Sequence, residues 1–532
     1  GIATILSGNR NNYLGEFTTT YNKEINPDNN LSLMGGITYQ KFVNMNYAGT
    51  GRGFPNDESL THSMESADPE LYTMSSEKQS NKLISYIGRL NYGLLNKYLF
   101  TFTFRADGSS RFGEDNKFAY FPSAAFAWKM HEESFIDNLD IFSFLKFRAS
   151  IGRTGNQAIG NYRSITTFSK GGEVVLGGQP IVTLSPVRIP NPELKWETTE
   201  QINIGFDIGV WNNRVYSSID YFQRNTYDML FALPVPSSTG FSSILQNIGN
   251  IKNQGFEFLL NTKNLVGEFK WNTSLNFSTL KNEVTDLGEI PEVIHTNAGW
   301  TQDIALIRVG EALNSFYGYN TQGIWQTQNE IDNSGTTDPV KPGDVKYQDV
   351  KNDGTVNSED KVILGNSFPD FTFGITNTFQ YKNFGLSFLF EGIQGIKMLN
   401  NAMVESYFPI SHRRNRLAEP YLNRWTEDNP SNEYPSFEDP TNQGNKGVSS
   451  LTVEDASYVR LKTVRLNYNV PLNSNRIFRN LNFYVSGENL FVISDYSGVD
   501  PTTNSNGNPT LKIDFNSYPL SRTFLFGIEM GL

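Results

Sequence analysis

From one end of this chain to the other, apolar and polar residues alternate one by one. In Tyr98-Leu-Phe-Thr-Phe-Thr-Phe-Arg-Ala-Asp107, residues Tyr98, Phe100, Phe102 and Phe104 take one face. Thr101, Thr103, Arg105 and Asp107 take the other, because successive side chains of a strand point to opposite faces. Ile202, Ile204, Phe206, Ile208 and Val210 oppose Gln201, Asn203 and Asp207 in the same way, and Phe269, Trp271, Leu275 and Phe277 oppose Lys270, Asn272, Ser274 and Asn276. Phe371, Phe373, Ile375 and Phe379 stand against Thr372, Thr376, Thr378 and Gln380, and Phe524, Phe526, Ile528 and Met530 against Thr523 and Glu529. A period of two predicts strands. No apolar run approaches the roughly 18 residues that a spanning helix needs. The chain is expected to be all-β.

Two all-β architectures fit a greasy face and a wet face. One is a large soluble β protein whose apolar face packs inward. The other is a transmembrane antiparallel β-barrel, apolar toward lipid and polar toward a watery interior. Many of the segments run to ten residues or more, whereas soluble strands average about five or six. A tilted membrane strand needs about 9–11 residues. Tyr92, Tyr98, Tyr120, Phe121 and Trp128 cluster near strand ends, where interfacial girdles sit. Both features favour the barrel.

The links agree. Asn96-Lys97, Asn212-Asn213, the region around Val266-Gly267 and Lys382-Asn383 read as tight turns. Long links cover roughly 44–81, 153–195, 226–253, 281–302, 326–369, 392–456 and 493–519. The strands fall at about 2–6, 12–23, 31–43, 82–94, 98–107, 118–130, 145–152, 196–211, 214–225, 254–264, 269–280, 303–309, 316–325, 370–381, 384–391, 457–470, 481–492 and 520–531. That is about 18 strands, and it places every long link on one side of the sheet and the C-terminus on the other. Residues 457–470 change face between Leu461 and Val464, which predicts a bulge.

Composition closes other routes. The chain has 532 residues and no cysteine, which excludes a disulfide scaffold and thiolate-held metals. Its net charge is −11 and it has no basic stripe, so nucleic acid is not an expected partner. The four histidines, His62, His131, His295 and His412, have no metal-ligand spacing, and no nucleophile elbow or phosphate loop is present. No catalytic residue is assigned, and an enzyme is not expected.

The run SYIGRLNYGLLNKYLFTFTFRADGSSRFGEDNKFAYFPSAAFAWKMHEESF (85–135) resembles the SusC-like branch of TonB-dependent outer-membrane transporters. So do PGDVKYQDVKNDGTVNSEDKVILGN (342–366), DFTFGITNTFQYKNFGLSFLFEG (370–392), YVRLKTVRLNYNVP (458–471), FYVSGENLFVISDYSGVDP (483–501) and SYPLSRTFLFGIEMGL (517–532). The resemblance implies a barrel of about 22 strands with a plug. It implies that residues 1–532 are the C-terminal portion of such a barrel, with the plug and remaining strands in the rest of a longer protein. It also implies the outer membrane of a Bacteroidetes-type Gram-negative cell, lipid and lipopolysaccharide around the wall, and a SusD-like surface lipoprotein over the loops. The TonB–ExbB–ExbD motor would act through the missing N-terminal part. The expected function is import of an oligosaccharide or oligopeptide. The competing class is a non-transporting, SusC-like scaffold subunit of a larger outer-membrane assembly.

Candidate sites follow. Asp349, Asp353, Thr355 (by its carbonyl), Asn357 and Asp360, with Gly354 at the sharp turn, have the spacing of a calcium loop. Lys351 occupies a ligand position and cannot ligate, so calcium competes with a turn that kept the shape and lost the metal. No cofactor is required. Trp300, Trp325, Tyr407, Phe408, Trp425 and Tyr434 are loop aromatics expected to be exposed, either for stacking on a polar ligand or for packing loops together and against a partner. Arg413 and Arg414 lie in a short basic run that could meet acidic ligands or lipopolysaccharide phosphates, or simply be solvated. Arg89, Arg105, Arg148 and Lys270 fall on the polar face and are expected to line the lumen or contact the plug, or simply to solvate the interior.

Overall fold

The computed structural model describes residues 1–58, 60–299, 301–407, 415, 417–437, 447–472, 478–505 and 507–531. Fifteen long strands dominate the described residues. They are β1 (Ile2–Asn26), β2 (Asn29–Arg52), β3 (Thr73–Leu94), β4 (Tyr98–Ser109), β5 (Phe118–Lys129), β6 (Phe142–Asn156), β7 (Glu197–Val210) and β8 (Val215–Tyr227). The rest are β9 (Asn250–Val266), β10 (Phe269–Thr279), β11 (Phe371–Tyr381), β12 (Phe384–Gln394), β13 (Tyr458–Asn469), β14 (Asn480–Ser494) and β15 (Thr523–Gly531). The chain divides into two units, one of Gly1–Trp128, Arg148–Ile202 and Asn225–Gly249, the other of the remaining residues. Strands β6, β7 and β8, and the last residue of β5, carry the chain across the division.

In the first unit β1 to β5 pair in chain order, all antiparallel. The alternating face is not packed inward: Phe102 and Phe104, in the middle of β4, are 51% and 52% exposed. A soluble sheet would bury them, whereas a wall facing lipid leaves them out. Tyr98 stacks on Trp128 with ring centroids 6.1 Å apart, and Phe100 meets Phe126 at 5.1 Å, so cross-strand aromatic pairs build that face.

The expected break between 2–6 and 12–23 is absent. Residues 2–26 form one strand of 25 residues, paired from Ile2↔Arg52 down to Asn26↔Asn29. At about 3.3 Å per residue it spans roughly 80 Å, far more than a hydrocarbon layer of about 30 Å. Its end distal to the 27–28 turn therefore has water on both faces. There the polar run Ser7–Asn12 shows no alternation yet stays in the ladder. For the same reason β2 and β3 extend into the expected 44–81 link, leaving only 53–72 between them.

In the second unit β9 to β15 also pair in chain order and antiparallel. The expected bulge is present: register shifts between Leu461 and Thr463 against β14, and between Leu389 and Phe390 where β12 meets β13. Tight turns at 211–214 and 382–383 hold Asn212, Asn213 and Lys382 at positive φ, a geometry that Asn accepts readily. The short links 267–268, 382–383 and 470–479 leave one end of β9 to β15, and 280–370, 395–457 and 495–522 leave the other.

Two expected wall strands, 303–309 and 316–325, are corrected. They are short strands, Ala305–Arg308, Ser315–Gly318 and Thr321–Ile324, within the long links. Ala305, Leu306, Ile307, Phe316 and Tyr317 are all buried, so both faces are covered and no lipid-facing alternation exists.

Candidate functional site

The long links of the second unit fold into a canopy with its own core. Glu292–His295, Ala305–Arg308, Ser315–Gly318 and Val362–Gly365 make a four-stranded sheet. Thr321–Ile324 pairs with Val345–Tyr347, and Lys397–Asn400 lies between Val453–Asp455 and Ile513–Asp514, with Leu399 parallel to Ile513. Ile304, Phe316, Leu399, Val404, Leu511 and Ile513 fill the centre. Burying each large side chain stabilises the canopy by about 1.5–3 kcal/mol.

This core takes up the loop aromatics. Trp325 (6% exposed), Tyr407, Trp425 and Tyr434 are buried, which corrects the expectation that they stand open. Tyr407 stacks on Tyr434 at 5.7 Å, Trp425 donates from Nε1 to Gln326 Oε1 at 3.1 Å, and Lys346 Nζ sits 4.4 Å from the Trp325 ring. These four side chains pack the long links together. Burial, then the nearby Tyr434 and Glu433, pushes the Tyr407 phenol above its ordinary pKa, so it stays neutral. Trp300, Phe408, Arg413 and Arg414 lie outside the described residues.

Beside Trp325 is a polar cavity of about 450 Å³, lined by Gln322, Trp325, Asp338, Lys346, Asp349 and Asn352 among others. The loop 349–360 borders it. Asp349 accepts from the amides of Asn352 (2.6 Å), Asp353 (3.3 Å) and Gly354 (2.7 Å). Asp360, fully buried, accepts from Val350 (2.8 Å), Lys351 (3.1 Å) and Asn357 (2.8 Å). Asp353 and Asn357 cap the amides of Thr355 and Glu359. Gly354 holds φ +89°, as the sharp turn requires. Backbone donors thus occupy the loop's carboxylates. Among the described residues no group of three or more His, Cys, Asp or Glu converges as a metal site.

The polar-face cations are dispersed. Arg89 donates to Thr103 Oγ1 at 3.2 Å, while Arg105 holds Asp107 at 2.6 Å and reaches Ser85 Oγ at 3.1 Å. These two sit on neighbouring strands, with Arg89 opposite Thr103 and Arg105 opposite Ile87. Arg148 lies on β6, and Lys270 lies on β10 opposite Gln380.

Sequence reasoning missed Arg460. It is 2% exposed at the start of β13 and donates to Asp500, forty residues on, at 2.7 Å. Burial raises the Asp500 carboxyl, but Thr502 and Arg460 outweigh it and hold the group below its usual pKa. His295 ends the short strand Glu292–His295. It is bonded to Asn314 Oδ1 at 2.9 Å and Thr296 Oγ1 at 2.7 Å, and burial lowers its pKa.

In each unit, long antiparallel strands expose the aromatic face that a barrel wall turns to lipid. The family model described as TonB dependent receptor-like, beta-barrel matches residues 3–490, and the chain belongs to that family. It is 36% identical over its full length to TonB-dependent receptor P26 of Formosa agariphila, covering 54% of that protein. It is 33% identical over 88% of its length to TonB-dependent receptor SusC of Bacteroides thetaiotaomicron, covering 46% of it. Among solved structures it matches one of the RagAB peptide transporter with a TM-score of 0.83 at 25% identity, over 99% of this chain and 56% of that one. The chain spans about half the length of the curated relatives it matches.

Proposed function

We propose that this chain forms the wall and extracellular loops of an importer for an oligosaccharide or oligopeptide. A SusD-like surface lipoprotein covers the long-link side, resting on the segments around 326–369 and 392–456. The TonB–ExbB–ExbD motor acts through the part of the protein that precedes this chain. The mechanism is binding and gated passage, with no bond made or broken in the cargo. The polar face, carrying Arg89, Arg105, Arg148 and Lys270, lines the path.

The observation that supports this reading is the canopy itself. Three links from separate hairpins share one apolar core, so they present a fixed surface rather than loose connections. A lid that docks on such a surface loses little entropy in ordering it.

Purification of the whole protein from native membranes, with identification of its companions, tests the reading. A co-purifying surface lipoprotein with bound glycan or peptide supports import. A set of assembly factors without cargo would replace import with the scaffold reading.

A further inference from the structure

Three arginines gather in the first unit without a carboxylate partner. Arg111 lies in the link 110–117, and Arg163 and Arg188 in the link 157–196. Arg111 donates from Nε to Asn161 Oδ1 at 3.1 Å and from NH1 to the Gln157 carbonyl at 2.9 Å. Arg188 donates from NH1 to the carbonyls of Asn161 and Tyr162, at 3.3 and 3.4 Å. The Arg163 side chain folds back over Gly160, within about 3 Å of where a β-carbon would stand. The guanidiniums of Arg111 and Arg188 thus both meet Asn161, and that of Arg163 lies beside Gly160, the residue before Asn161.

Among the described residues none of the three joins an ion pair. Glu173, Glu200 and Asp228 of the same unit pair with Lys170, Arg153 and Lys195. Burial lowers the pKa of Arg111, and burial followed by the positive charge of Arg163 lowers that of Arg188. The repulsion between Arg163 and Arg188 is one that a bound anion would relieve.

The segment beside them is held rigidly. Asn161 donates to Gln79 Oε1 at 3.1 Å and the Tyr162 hydroxyl accepts from the Ser80 amide at 2.9 Å, both residues being on β3. Tyr162 sits at φ +63°, a left-handed conformation unfavourable for an aromatic residue. Such local strain persists where the surroundings impose it, often at binding sites. Each guanidinium offers five N–H donors in a planar fork that matches an oxyanion. The bonds above use two groups of Arg111 and one of Arg188, leaving most donors for a ligand.

We propose that Arg111, Arg163 and Arg188 form an oxyanion site that engages sulfate, phosphate or carboxylate groups on the cargo. Only the origin of the anion rests on the import reading; the site itself rests on the arginines.

The test uses the full-length protein in detergent, with a sulfated oligosaccharide and its desulfated form as probes and purified lipopolysaccharide as a third arm. The sulfated form is expected to bind at least tenfold more tightly. Arg163→Gln and Arg188→Gln are each expected to weaken it about tenfold, the size of one charge-assisted hydrogen bond. Both side chains lie in links outside the wall, and an unchanged melting temperature verifies folding. Equal affinity for the two oligosaccharides together with no arginine-dependent binding of lipopolysaccharide, or unchanged binding in the Arg163→Gln/Arg188→Gln double variant, overturns the site. Arginine-dependent binding of lipopolysaccharide with no preference for the sulfated sugar overturns the cargo assignment and gives the anion to the lipid. The assay reads binding by purified protein, so its failure leaves the import reading standing. Absence of a lipoprotein companion leaves the arginine site standing.

Discussion

Arg460 and Asp500 form a buried ion pair, 2.7 Å from NH2 to Oδ1, that ties the start of wall strand β13 to the link 495–522. Asp500 also accepts from the Thr502 amide and hydroxyl, at 2.9 and 2.6 Å, so its charge is well satisfied, while Arg460 NH1 is buried without an acceptor. Removing one partner of a buried pair strands the other charge, at a cost of about 3–5 kcal/mol. Arg460→Met is expected to lose about that much stability in chemical denaturation. Adding Asp500→Asn is expected to recover most of it. Equal losses in the single and double variants would show that the pair contributes only packing.

The outward face makes a second prediction. Phe102 and Thr103 are neighbours on β4 that point to opposite faces. An arginine on the lipid face near the bilayer centre costs about 2–4 kcal/mol, and one on the inner face costs little. Phe102→Arg is expected to impair folding into vesicles by that margin, and Thr101→Arg, on the same face as Thr103 and opposite the uncharged Asn91, to fold normally. The reverse result would turn the wall inside out.

The alternation was legible wherever one face meets lipid and the other water, as in β4, β10 and β11. It failed in two places for opposite reasons. In Ser7–Asn12 both faces meet water, so the strand continues with no apolar residue to reveal it. In Ala305–Arg308 both faces are buried, so the apolar run imitates a wall strand. The aromatics of the long links were legible as a group but not as a core, because Trp325, Tyr407 and Trp425 converge only after separate links pack together. The Arg460–Asp500 pair and the contacts of Arg111 and Arg188 leave no local spacing to read, since Asp500 lies 40 residues from Arg460 and the partners of the other two lie 26 to 50 residues away.

Gly343 makes a third prediction. It holds φ +93°, and a β-carbon there would lie 2.5 Å from the Trp425 ring and 2.6 Å from Ser436 Cβ. Both the backbone and the space exclude a side chain, so Gly343→Ala is expected to cost about 1–3 kcal/mol. The loss should appear as faster proteolysis of the canopy while the wall strands keep their circular-dichroism signal. A simultaneous loss of the wall signal would mean that the two do not unfold separately.

The 349–360 loop makes a fourth. Asp349 and Asp360 already accept six backbone amide contacts between them, which holds the turn without a cation. We propose that it is a hydrogen-bonded turn, and calorimetric titration with calcium to millimolar concentration is expected to give no binding heat. A saturable heat that Asp349→Asn abolishes would restore the calcium reading. Asp360→Ala is expected to loosen the loop with or without calcium, because its carboxylate bridges the two ends of the turn.

His295 gives the canopy a pH dependence. Its ring bonds to Asn314 and Thr296, and burial depresses its pKa below the ordinary value near 6.5, an effect that Asn314 only partly offsets. The unfolded chain therefore binds a proton more readily than the folded one. Where the unfolded state holds more protons, stability rises with pH, so it falls as pH drops through about 6.5 and levels off below the folded-state pKa. The melting temperature of the canopy is expected to be lower at pH 5.5 than at pH 7.5. His295→Gln keeps a donor for Asn314 and removes the titrating ring, so it should flatten that part of the slope. A slope unchanged in His295→Gln would assign the acid sensitivity to carboxylates such as Asp500 and Asp455, which are held below their usual pKa and also lose stability on protonation.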